Sequence, residues 1–484
     1  MKRVFYPLSI PFEQLVSTYN PLIPAVPDGK KIVTVIFDAF REDYFGRTKN
    51  GIRLTPNMTS FAEDNSYFSN YYVQSNWTKP SVASFFTGQY VHEHVTVSGA
   101  GRQVLDRTGK TTIAEHSGHV LPERYSTLAE RLRKQDFQNA AYVSIPHISK
   151  NYNFNQGFNY YGYRNLQSTP GNLFAVRSLL FWTVRNQPEN LFLYLHLPGP
   201  HFGYEEGLYH NDSFWKKTDF ETSMDMQQQW TLEKLPPELV EKSLDETLIN
   251  QHQTEKSILE LSYASDVNYY DKVIFPLITK SLKNIGMFQN SLFVLTSDHG
   301  ELLWDHQGYY GHSQFLYEEL INVPLLVKLP EGVQLKTAAA PPSQKPMLES
   351  LDLTATILNY AGASRKKIEG DPFYSFSRSN PVTHKKFSTA YAEEADGDQL
   401  IQATVIRPPW KYKYNYQHEE GKLFNLATSG ESKQITDQGA VLNSLKNNLL
   451  NEFNPGGQFQ NPPPDLKTYS GGELEQLRGM GYIN

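Results

Sequence analysis

The stretch Lys31–Phe37 reads KIVTVIF, and a single aspartate, Asp38, follows it directly. A short run of β-branched and other apolar residues is typical of a strand buried on both faces of a parallel sheet. Similar runs are Leu191–Leu197 (LFLYLHL), Ser291–Thr296 (SLFVLT), Val323–Lys328 (VPLLVK) and, more weakly, Ala140–Ser144. The sequence therefore predicts several buried strands of one sheet.

Helical patterns separate these runs. Thr127–Phe137 (TLAERLRKQDF) has apolar residues at helical spacing after Ser126, a candidate N-cap, and Tyr263–Ile285 shows the same spacing before the next strand. Strands that alternate with helices predict an α/β fold with a doubly wound, mostly parallel sheet that is covered by helices on both faces. The reactive groups of such sheets gather beyond the carboxyl ends of the strands.

A chain of 484 residues is too long for one hydrophobic core, so we expect more than one domain. We predict an N-terminal lead-in over residues 1–29, an α/β catalytic domain over 30–372 and a C-terminal α+β subdomain over 373–484. The polar stretch 208–248 is predicted to be an insertion over the strand ends, where substrate selectivity would reside. Short alternating runs at Ala403–Arg407 and Trp410–Tyr416 predict a small antiparallel sheet in the C-terminal part.

The composition excludes several classes of function. A hydrophobic content of 39% with 20% charged residues is that of a folded enzyme, and a net charge of -6 without a long basic run argues against a nucleic-acid partner. The absence of cysteine excludes disulfides, thiolate metal sites and cysteine nucleophiles. No apolar run is long enough to form a transmembrane segment, so we expect a soluble chain, either cytoplasmic or periplasmic or otherwise extracytoplasmic.

Acidic and histidine side chains follow two of the predicted strands. Asp298 and His299 (TSDHGE) come after the run at Ser291–Thr296, and Asp38 comes after the first run. An aspartate and a histidine at a strand end can both reach one divalent cation, whereas the alternative is a loop or helix-cap role. Because both strand ends lie at the same edge, we favour metal binding, with His312 (GYYGHSQFLYEE) returning to the same site.

Thr78 lies in the segment NWTKPS, where Pro80 predicts the first turn of a helix. The N–H groups at a helix N-terminus stabilise anions, so a hydroxyl here can attack phosphorus or sulfur. The alternative is an ordinary threonine cap. A divalent ion in contact with the threonine oxygen would lower the pKa of the hydroxyl and favour the nucleophilic role.

The remaining candidate residues are mostly histidines. His201 (LHLPGPHFGY) follows a predicted strand, where it could bind a second metal ion, hold a substrate oxygen or protonate the leaving group. His196 lies inside that strand and is interpreted as a satisfied core histidine, and Arg41 as an ion-pair partner of Asp43. Four others are interpreted as surface or loop residues: His92, His94, His147 and His306.

The order and spacing of these motifs resemble the sulfatase-like branch of the sulfatase and alkaline phosphatase superfamily. The motifs are Asp38, TPNMTSFAED, WTKPSVASFFTG, STLAERL, LHLPGPHFGY, TSDHGE, GYYGHSQFLYEE and NVPLLV, followed by LDLTATILNYAG, WKYKYN, GKLFNL and RGMGYIN. The resemblance covers nearly everything after Lys30. It implies a doubly wound core, a small C-terminal sheet and a divalent metal beneath the nucleophile.

The sequence departs from classical sulfatases at the nucleophile. Those enzymes carry C-x-P-x-R or S-x-P-x-R, whose first residue is oxidised to formylglycine, whereas the corresponding residues here are TKPSV, Thr78 to Val82. Threonine cannot yield that aldehyde. Ala39 replaces the usual second aspartate, and His312 stands where a substrate-binding lysine is usual. The threonine, the metal-binding Asp-His pair and the extra histidines together resemble the phosphodiesterases and the phosphoethanolamine or lipoteichoic-acid transferases of the superfamily.

The resemblance implies a metal-dependent hydrolase, or a transferase, of phosphoric esters, with phosphodiesters favoured. Thr78 would form a covalent intermediate, and His201 would be a second catalytic residue. The expected metal ligands are Asp38, Thr78, Asp298, His299 and His312, and the expected substrate contacts are Lys79, His201 and His312.

Zinc or manganese suits the histidines, calcium suits the oxygen ligands, and no formylglycine is expected. The substrate would be an anionic ester on a small molecule, or one linked to a glycan or a lipid. Two alternatives stay open. One is a sulfuric-ester hydrolase that works without formylglycine, and the other is a catalytically silent member that binds an anionic ligand.

Overall fold

The computed structural model describes residues 26–97, 103–105, 111–113, 117–164, 169–201, 203–204, 253–333, 337–338, 346–376, 388–396, 399–454 and 457–479. The predicted insertion at 208–248 and nearly all of the predicted lead-in lie outside these ranges. Within them, no helix is both long and apolar enough to cross a membrane.

A seven-stranded sheet forms the centre of the molecule. Its strands are β1 (Lys31–Phe37), β2 (Ser66–Phe68), β3 (Phe137–Val143), β4 (Tyr160–Tyr163), β5 (Asn190–Leu197), β6 (Ser291–Thr296) and β7 (Leu325–Lys328). The spatial order is β4-β3-β5-β1-β6-β7-β2, and the first five are mutually parallel, whereas β7 runs antiparallel to both of its neighbours. The predicted α/β fold with a mostly parallel sheet is confirmed.

Helices cover both faces of this sheet. They are α1 (Pro56–Glu63), α2 (Thr78–Thr87), α3 (Leu128–Arg133), α4 (Thr169–Asn186), α5 (Gln253–Tyr269), α6 (Phe275–Asn284) and α7 (Ser350–Ala361). Alternate residues of β1 point to opposite faces of the sheet. Ile32 and Ile36 belong to the core that contains α2, α3 and α7. Val33 and Val35 belong to the core that contains α4, α5 and α6. The sheet is therefore doubly wound, with a separate hydrophobic core on each face.

The start of α3 differs from the prediction. Thr127, not Ser126, is the N-cap, because its Oγ1 accepts a hydrogen bond from the Glu130 N–H and the Glu130 carboxylate accepts one from the Thr127 N–H at 2.8 Å. This reciprocal pairing needs an acid three residues after the cap, and Ser126 has Ala129 there. The helix also ends at Arg133 rather than Phe137, because Phe137 begins β3.

An antiparallel sheet of five strands lies in the C-terminal part. Its strands follow the chain order and are β8 (Ala390–Asp396), β9 (Gln399–Arg407), β10 (Trp410–Asn415), β11 (Glu420–Asn425) and β12 (Gly430–Gln434). The helices α8 (Gly439–Asn447) and α9 (Gly471–Gly479) come after it. The predicted C-terminal antiparallel sheet is thus confirmed.

Shorter elements complete the described chain. Single helical turns are Glu42–Tyr44, Val91–His94, Pro146–Ile148, Lys150–Tyr152, Tyr270–Ile274, Asp305–Gly308, Glu318–Ile321 and Asn448–Phe453. Short strand pairs join Thr48–Lys49 to Ile52–Arg53, Tyr71–Tyr72 to Leu348–Glu349, Gln103–Leu105 to Thr111–Ile113, Ser117–His119 to Leu466–Thr468, Leu302–Trp304 to Tyr309–Gly311, and Thr337–Ala338 to Tyr374–Ser375.

A buried lysine ties the C-terminal sheet to the main body. Lys411 on β10 is fully buried, and its ammonium group lies 2.9 Å from Glu318 Oε1 and 3.0 Å from Glu431 Oε2. Glu318 belongs to the turn that precedes β7, whereas Glu431 belongs to β12. One cation thus neutralises carboxylates from both parts of the fold.

We expect Lys411→Met to lower the free energy of unfolding by about 3 kcal/mol, because two largely buried carboxylates lose their shared cation. Urea unfolding followed by tryptophan fluorescence measures this loss. The matched control is Lys422→Met on β11, where the side chains of Lys422 and Glu420 are 47% and 57% exposed. Its expected effect is below about 1 kcal/mol. Equal losses in the two variants would contradict the assigned role of Lys411.

Candidate active site

Three parallel strands bring their carboxyl ends to one edge of the main sheet. The register pairs Ile36 of β1 with His196 of β5 on one side and with Thr296 of β6 on the other. Asp38 and Asp298 each lie two residues beyond this row. Ligand atoms of Asp38, His196 and Asp298 consequently lie within 4.8 Å of one another, and all three residues are buried. We call this set the first ligand group.

Ser297 fixes the two strand ends relative to each other. Its hydroxyl accepts a hydrogen bond from the Phe40 N–H at 2.9 Å and lies 2.6 Å from the Phe37 carbonyl oxygen. Asp298 Oδ1 accepts a hydrogen bond from the His299 N–H at 3.1 Å, and His196 Nε2 lies 3.2 Å from Asp298 Oδ2. The orientation of the Asp298 carboxylate is therefore set by His196 of β5 and by the N–H group of His299.

The imidazole of His299 faces the nucleophile candidate. His299 Nδ1 lies 2.7 Å from the Gly300 carbonyl, which can only accept, so Nδ1 carries the proton. Nε2 then points at Thr78 Oγ1, at 3.3 Å, and at Asp38 Oδ1, at 3.2 Å, with Asp298 Oδ2 at 3.8 Å. Four predicted residues thus converge on one point: Asp38, Thr78, Asp298 and His299.

Thr78 is the first residue of α2, as its sequence context predicts. The segment before it is held in place because Asn76 donates from Nδ2 to the Phe315 carbonyl at 2.6 Å, and its own carbonyl accepts from the Ser313 N–H at 3.2 Å. All residues of α2 are buried. The hydroxyl therefore sits at the positive end of a buried helix, next to the first ligand group.

A second ligand group lies beside the first. The hairpin Leu302–Trp304 to Tyr309–Gly311 pairs Leu302 with Gly311, which places Glu301 and His312 side by side at its open end. His312 Nδ1 lies 2.8 Å from Glu301 Oε1, and ligand atoms of His201, Glu301 and His312 lie within 4.8 Å of one another. The His312 ring is 4.8 Å from the His201 ring and 4.4 Å from the His299 ring, between centroids.

His299 and His312 are neighbours, but their pKa values shift in opposite directions. Burial disfavours an imidazolium at His299, but Asp298 and Asp38 outweigh it and raise the pKa of His299 to about 9. His312 behaves in the opposite way, since burial and then the neighbouring His299 hold the pKa of His312 well below its usual value. The carboxylates therefore attract positive charge to the first ligand group, and a proton on His299 competes there with a metal ion.

The donor set fits a divalent cation. Asp38 is fully buried, and its Oδ2 accepts no hydrogen bond from any described residue. A buried carboxylate oxygen without a donor is unfavourable unless a cation binds it. Two carboxylates, an imidazole and a hydroxyl within one small space suit zinc or manganese, and the oxygens also suit calcium.

Lys79 lies behind the nucleophile. Its fully buried ammonium group lies 3.3 Å from the His119 carbonyl and 3.1 Å from the Tyr469 hydroxyl, and 4.3 Å from the centroid of the Tyr152 ring. Burial holds the pKa of Lys79 well below its usual value. The Tyr469 hydroxyl also lies 2.7 Å from His147 Nδ1. These contacts hold Lys79 against the C-terminal segment, and its predicted contact with substrate stays a prediction.

Two residues of the ligand groups were not predicted from the sequence. His196 is buried as expected, but its Nδ1 has no hydrogen-bond partner among the described residues, so it is not a satisfied core histidine. Glu301 directly follows the motif residues His299 and Gly300, and this position of an acid next to the motif was the signal that could have identified Glu301 as a ligand. Arg41 makes the predicted ion pair with Asp43, at 2.8 Å.

The interpretation of the other histidines as surface or loop residues is wrong for three of them. His92, His94 and His147 are buried, and each has a side-chain partner within the fold. His92 Nδ1 lies 2.9 Å from the Glu393 carboxylate, and His94 Nε2 lies 2.9 Å from Ser84 Oγ. His306 is partly exposed and lies 2.9 Å from Glu319.

Comparison with known proteins decides the family. Residues 30–363 match the family model described as Sulfatase, which is more than half of the chain. The chain belongs to the sulfatase family. This family is part of the sulfatase and alkaline phosphatase superfamily, whose members depend on metal ions.

Relatives of this sulfatase-family chain are distant. Arylsulfatase K of Xenopus laevis is 24% identical over 376 residues, which cover 68% of this chain and 63% of the frog protein. Among solved structures, a 2-O GAG sulfatase has a TM-score of 0.60 at 17% identity and covers 88% of this chain and 92% of its own. The phosphonate monoester hydrolase of Silicibacter pomeroyi has a TM-score of 0.57 at 18% identity, with coverages of 86% and 93%.

We expect zinc or manganese to raise the melting temperature of the chelated protein, because an ion that binds only the folded state stabilises it by about 2.7 kcal/mol at a hundredfold excess over Kd. Asp38→Asn and Asp298→Asn should abolish the rise and lower the metal content measured by elemental mass spectrometry. The control Asp43→Asn changes an aspartate that is 45% exposed and pairs with Arg41. A full rise in both ligand variants would show that the ion binds elsewhere.

Gly300 is required by a close approach of two backbones. A Cβ at this position would lie 1.8 Å from the Glu319 carbonyl oxygen. We therefore expect Gly300→Ala to displace the His299–Glu301 segment, lower the free energy of unfolding by about 1–3 kcal/mol and weaken metal binding. Gly439→Ala at the start of α8 is the control, since nothing lies within 4 Å of its added Cβ. Urea unfolding and metal titration compare the two, and equal behaviour would contradict this account.

Proposed function

We propose that this chain hydrolyses phosphoric esters, with phosphodiesters as the preferred class, through a covalent intermediate on Thr78. The observation that carries the proposal is the position of Thr78 Oγ1. It lies at the N-terminus of the buried helix α2, 3.3 Å from His299 Nε2, beside the first ligand group. A hydroxyl in this place can act directly as a nucleophile, and threonine cannot be converted into formylglycine.

A bound divalent ion would supply Lewis acidity, which lowers the pKa of the Thr78 hydroxyl. Thr78 Oγ1, after loss of its proton to solvent, attacks the phosphorus, and the bond from phosphorus to the leaving alcohol oxygen breaks. His201 donates the proton that this oxygen needs. Water then attacks the phosphorus of the phospho-threonine, His201 takes a proton from that water, and the bond from phosphorus to Thr78 Oγ1 breaks. The phosphate monoester leaves, and Thr78 Oγ1 takes a proton back from solvent.

The residues around Thr78 favour phosphoryl chemistry over sulfuryl chemistry. The second ligand group consists of His201, Glu301 and His312, and His312 stands where classical sulfatases usually carry a substrate-binding lysine. Glu301 and His312 would hold a second divalent ion, which would supply further Lewis acidity, whereas His201 is assigned to proton transfer. Arg41, the nearby guanidinium, is instead committed to Asp43 and Asp305, at 2.8 Å from each.

Sulfuric-ester hydrolysis is the second candidate function. It is favoured by the name of the Xenopus relative, arylsulfatase K, and an anionic glycan ester would be the substrate class suggested by the 2-O GAG sulfatase. Structures of this fold include both a sulfatase and a phosphonate monoester hydrolase, so the fold alone does not choose between the two esters.

The deciding experiment compares bis-p-nitrophenyl phosphate, p-nitrophenyl phosphate and p-nitrophenyl sulfate on chelated protein and after addition of zinc, manganese or calcium. We expect the diester to be cleaved fastest and only with metal. Thr78→Ala should lower kcat by at least about 10³-fold, and wild-type protein that is acid-quenched during turnover of the diester should carry a p-nitrophenylphosphoryl group on Thr78 by mass spectrometry.

The matched control is Thr87→Ala, which removes a hydroxyl from the other end of the same helix, where it donates to the Ala83 carbonyl. It should keep most of the activity. Preference for the sulfate ester would establish the second candidate function instead. Full diester turnover in Thr78→Ala would overturn the threonine mechanism, and metal binding without turnover of any ester would indicate a silent, anion-binding member.

A further inference from the structure

A groove of about 620 Å³ lies between the C-terminal sheet and the segment that follows α8. Its walls come from the start of β9, from the end of the β10–β11 hairpin and from residues 457–463. This volume is within the range of sites that bind small molecules. The groove does not contain any residue of the two ligand groups.

Side-chain amides dominate the lining of this groove. Among the described residues that form it, none carries a charge. The amides belong to Gln399, Gln417, Gln458, Gln460 and Asn461. Each amide offers both donors and acceptors, which suits a ligand rich in hydroxyl groups rather than an ion.

Two aromatic rings, Tyr416 and Phe459, also line the groove. Both rings pack against the small hydrophobic cluster that contains Val97 and Leu400, and this packing restricts their positions. Rigid rings give apolar contact to the C–H faces of a ligand at little cost in conformational entropy, whereas the amides satisfy its polar edge. This combination is suited to a sugar ring, which has apolar faces and hydroxyl edges.

The framework of the groove is anchored, whereas three of its amides remain available. Asn461 donates to the Glu93 carbonyl and to the Tyr125 hydroxyl, at 2.9 Å each, and the Gln460 N–H donates to the His92 carbonyl at 2.9 Å. By contrast, Gln399, Gln417 and Gln458 are exposed and make no side-chain hydrogen bond to another described residue. Donors and acceptors are therefore presented on a preorganised wall.

A short chain of contacts links the groove to the nucleophile helix. Val97 belongs to the cluster beneath the groove, and its N–H donates to His119 Nδ1 at 3.3 Å. The His119 carbonyl in turn accepts from Lys79, the residue after Thr78, at 3.3 Å. Short contacts thus connect the floor of the groove to the first turn of α2.

We propose that this groove binds uncharged sugar residues. The proposal assigns a second binding site to the chain and holds for either ester chemistry, because no residue of the groove takes part in ester cleavage. If the substrate is an oligosaccharide that carries the ester, its anionic group would bind at the ligand groups. Its neutral sugar residues would bind in the groove.

The test measures binding of neutral disaccharides, namely lactose, cellobiose, mannobiose and N,N′-diacetylchitobiose, to the full chain by saturation-transfer NMR and by titration calorimetry. We expect at least one to bind, and the double variant Gln417→Ala/Gln458→Ala to weaken it at least about tenfold, a loss of about 1.4 kcal/mol. Both glutamines are exposed, so the variant should fold normally.

Gln434→Ala is the matched control, because Gln434 is exposed on β12 and does not line the groove. It should leave disaccharide binding unchanged, and Thr78→Ala should also bind normally. The proposal is overturned if none of the disaccharides binds, if the double variant binds as well as wild type, or if Gln434→Ala weakens binding equally. Turnover of p-nitrophenyl esters should be the same in the double variant and wild type, so failure of this proposal is distinguishable from failure of the proposed ester hydrolysis.

Discussion

The parallel register of β5, β1 and β6 is the constraint on which the rest of the site depends. Hydrogen bonding between neighbouring strands aligns Ile36 with His196 and Thr296, and the residues beyond this row have to share one small volume. Asp38 and Asp298 are thereby brought together in a buried place, where like charges repel and water is scarce. Their repulsion makes this edge of the sheet an attractive place for a cation.

Elements outside the sheet add further functional groups beside Asp38 and Asp298. The helix α2 brings a hydroxyl and the positive end of a buried helix, and the hairpin after β6 brings Glu301 and His312. Asp298 and Asp38 raise the pKa of His299, whereas burial and then the neighbouring His299 lower the pKa of His312, and the two rings are 4.4 Å apart. The two neighbouring imidazoles therefore favour different charge states.

Much of the fold and part of the candidate site could be predicted from the sequence. Asp38 and Asp298 were predictable because parallel strands end at a common edge, and this rule needs only the strands to be recognised. His196 could not be predicted, because a histidine inside an apolar run is indistinguishable from a core residue until its neighbours on β1 and β6 are known. The sequence does show Glu301 as an acid close to His299, but its pairing with His312 depends on the register of a hairpin, which no local pattern specifies.

The contact between Lys79 and Tyr469 constrains the order in which parts of the fold can form during synthesis. The residue after the nucleophile candidate is enclosed by an aromatic side chain that lies 390 positions later in the sequence. During synthesis, the sheet and its strand ends can assemble while this partner is still inside the ribosome. The contact that encloses Lys79 can therefore form only after residue 469 has been made, later than the contacts of Asn76 with Phe315 and Ser313 that hold the segment before Thr78.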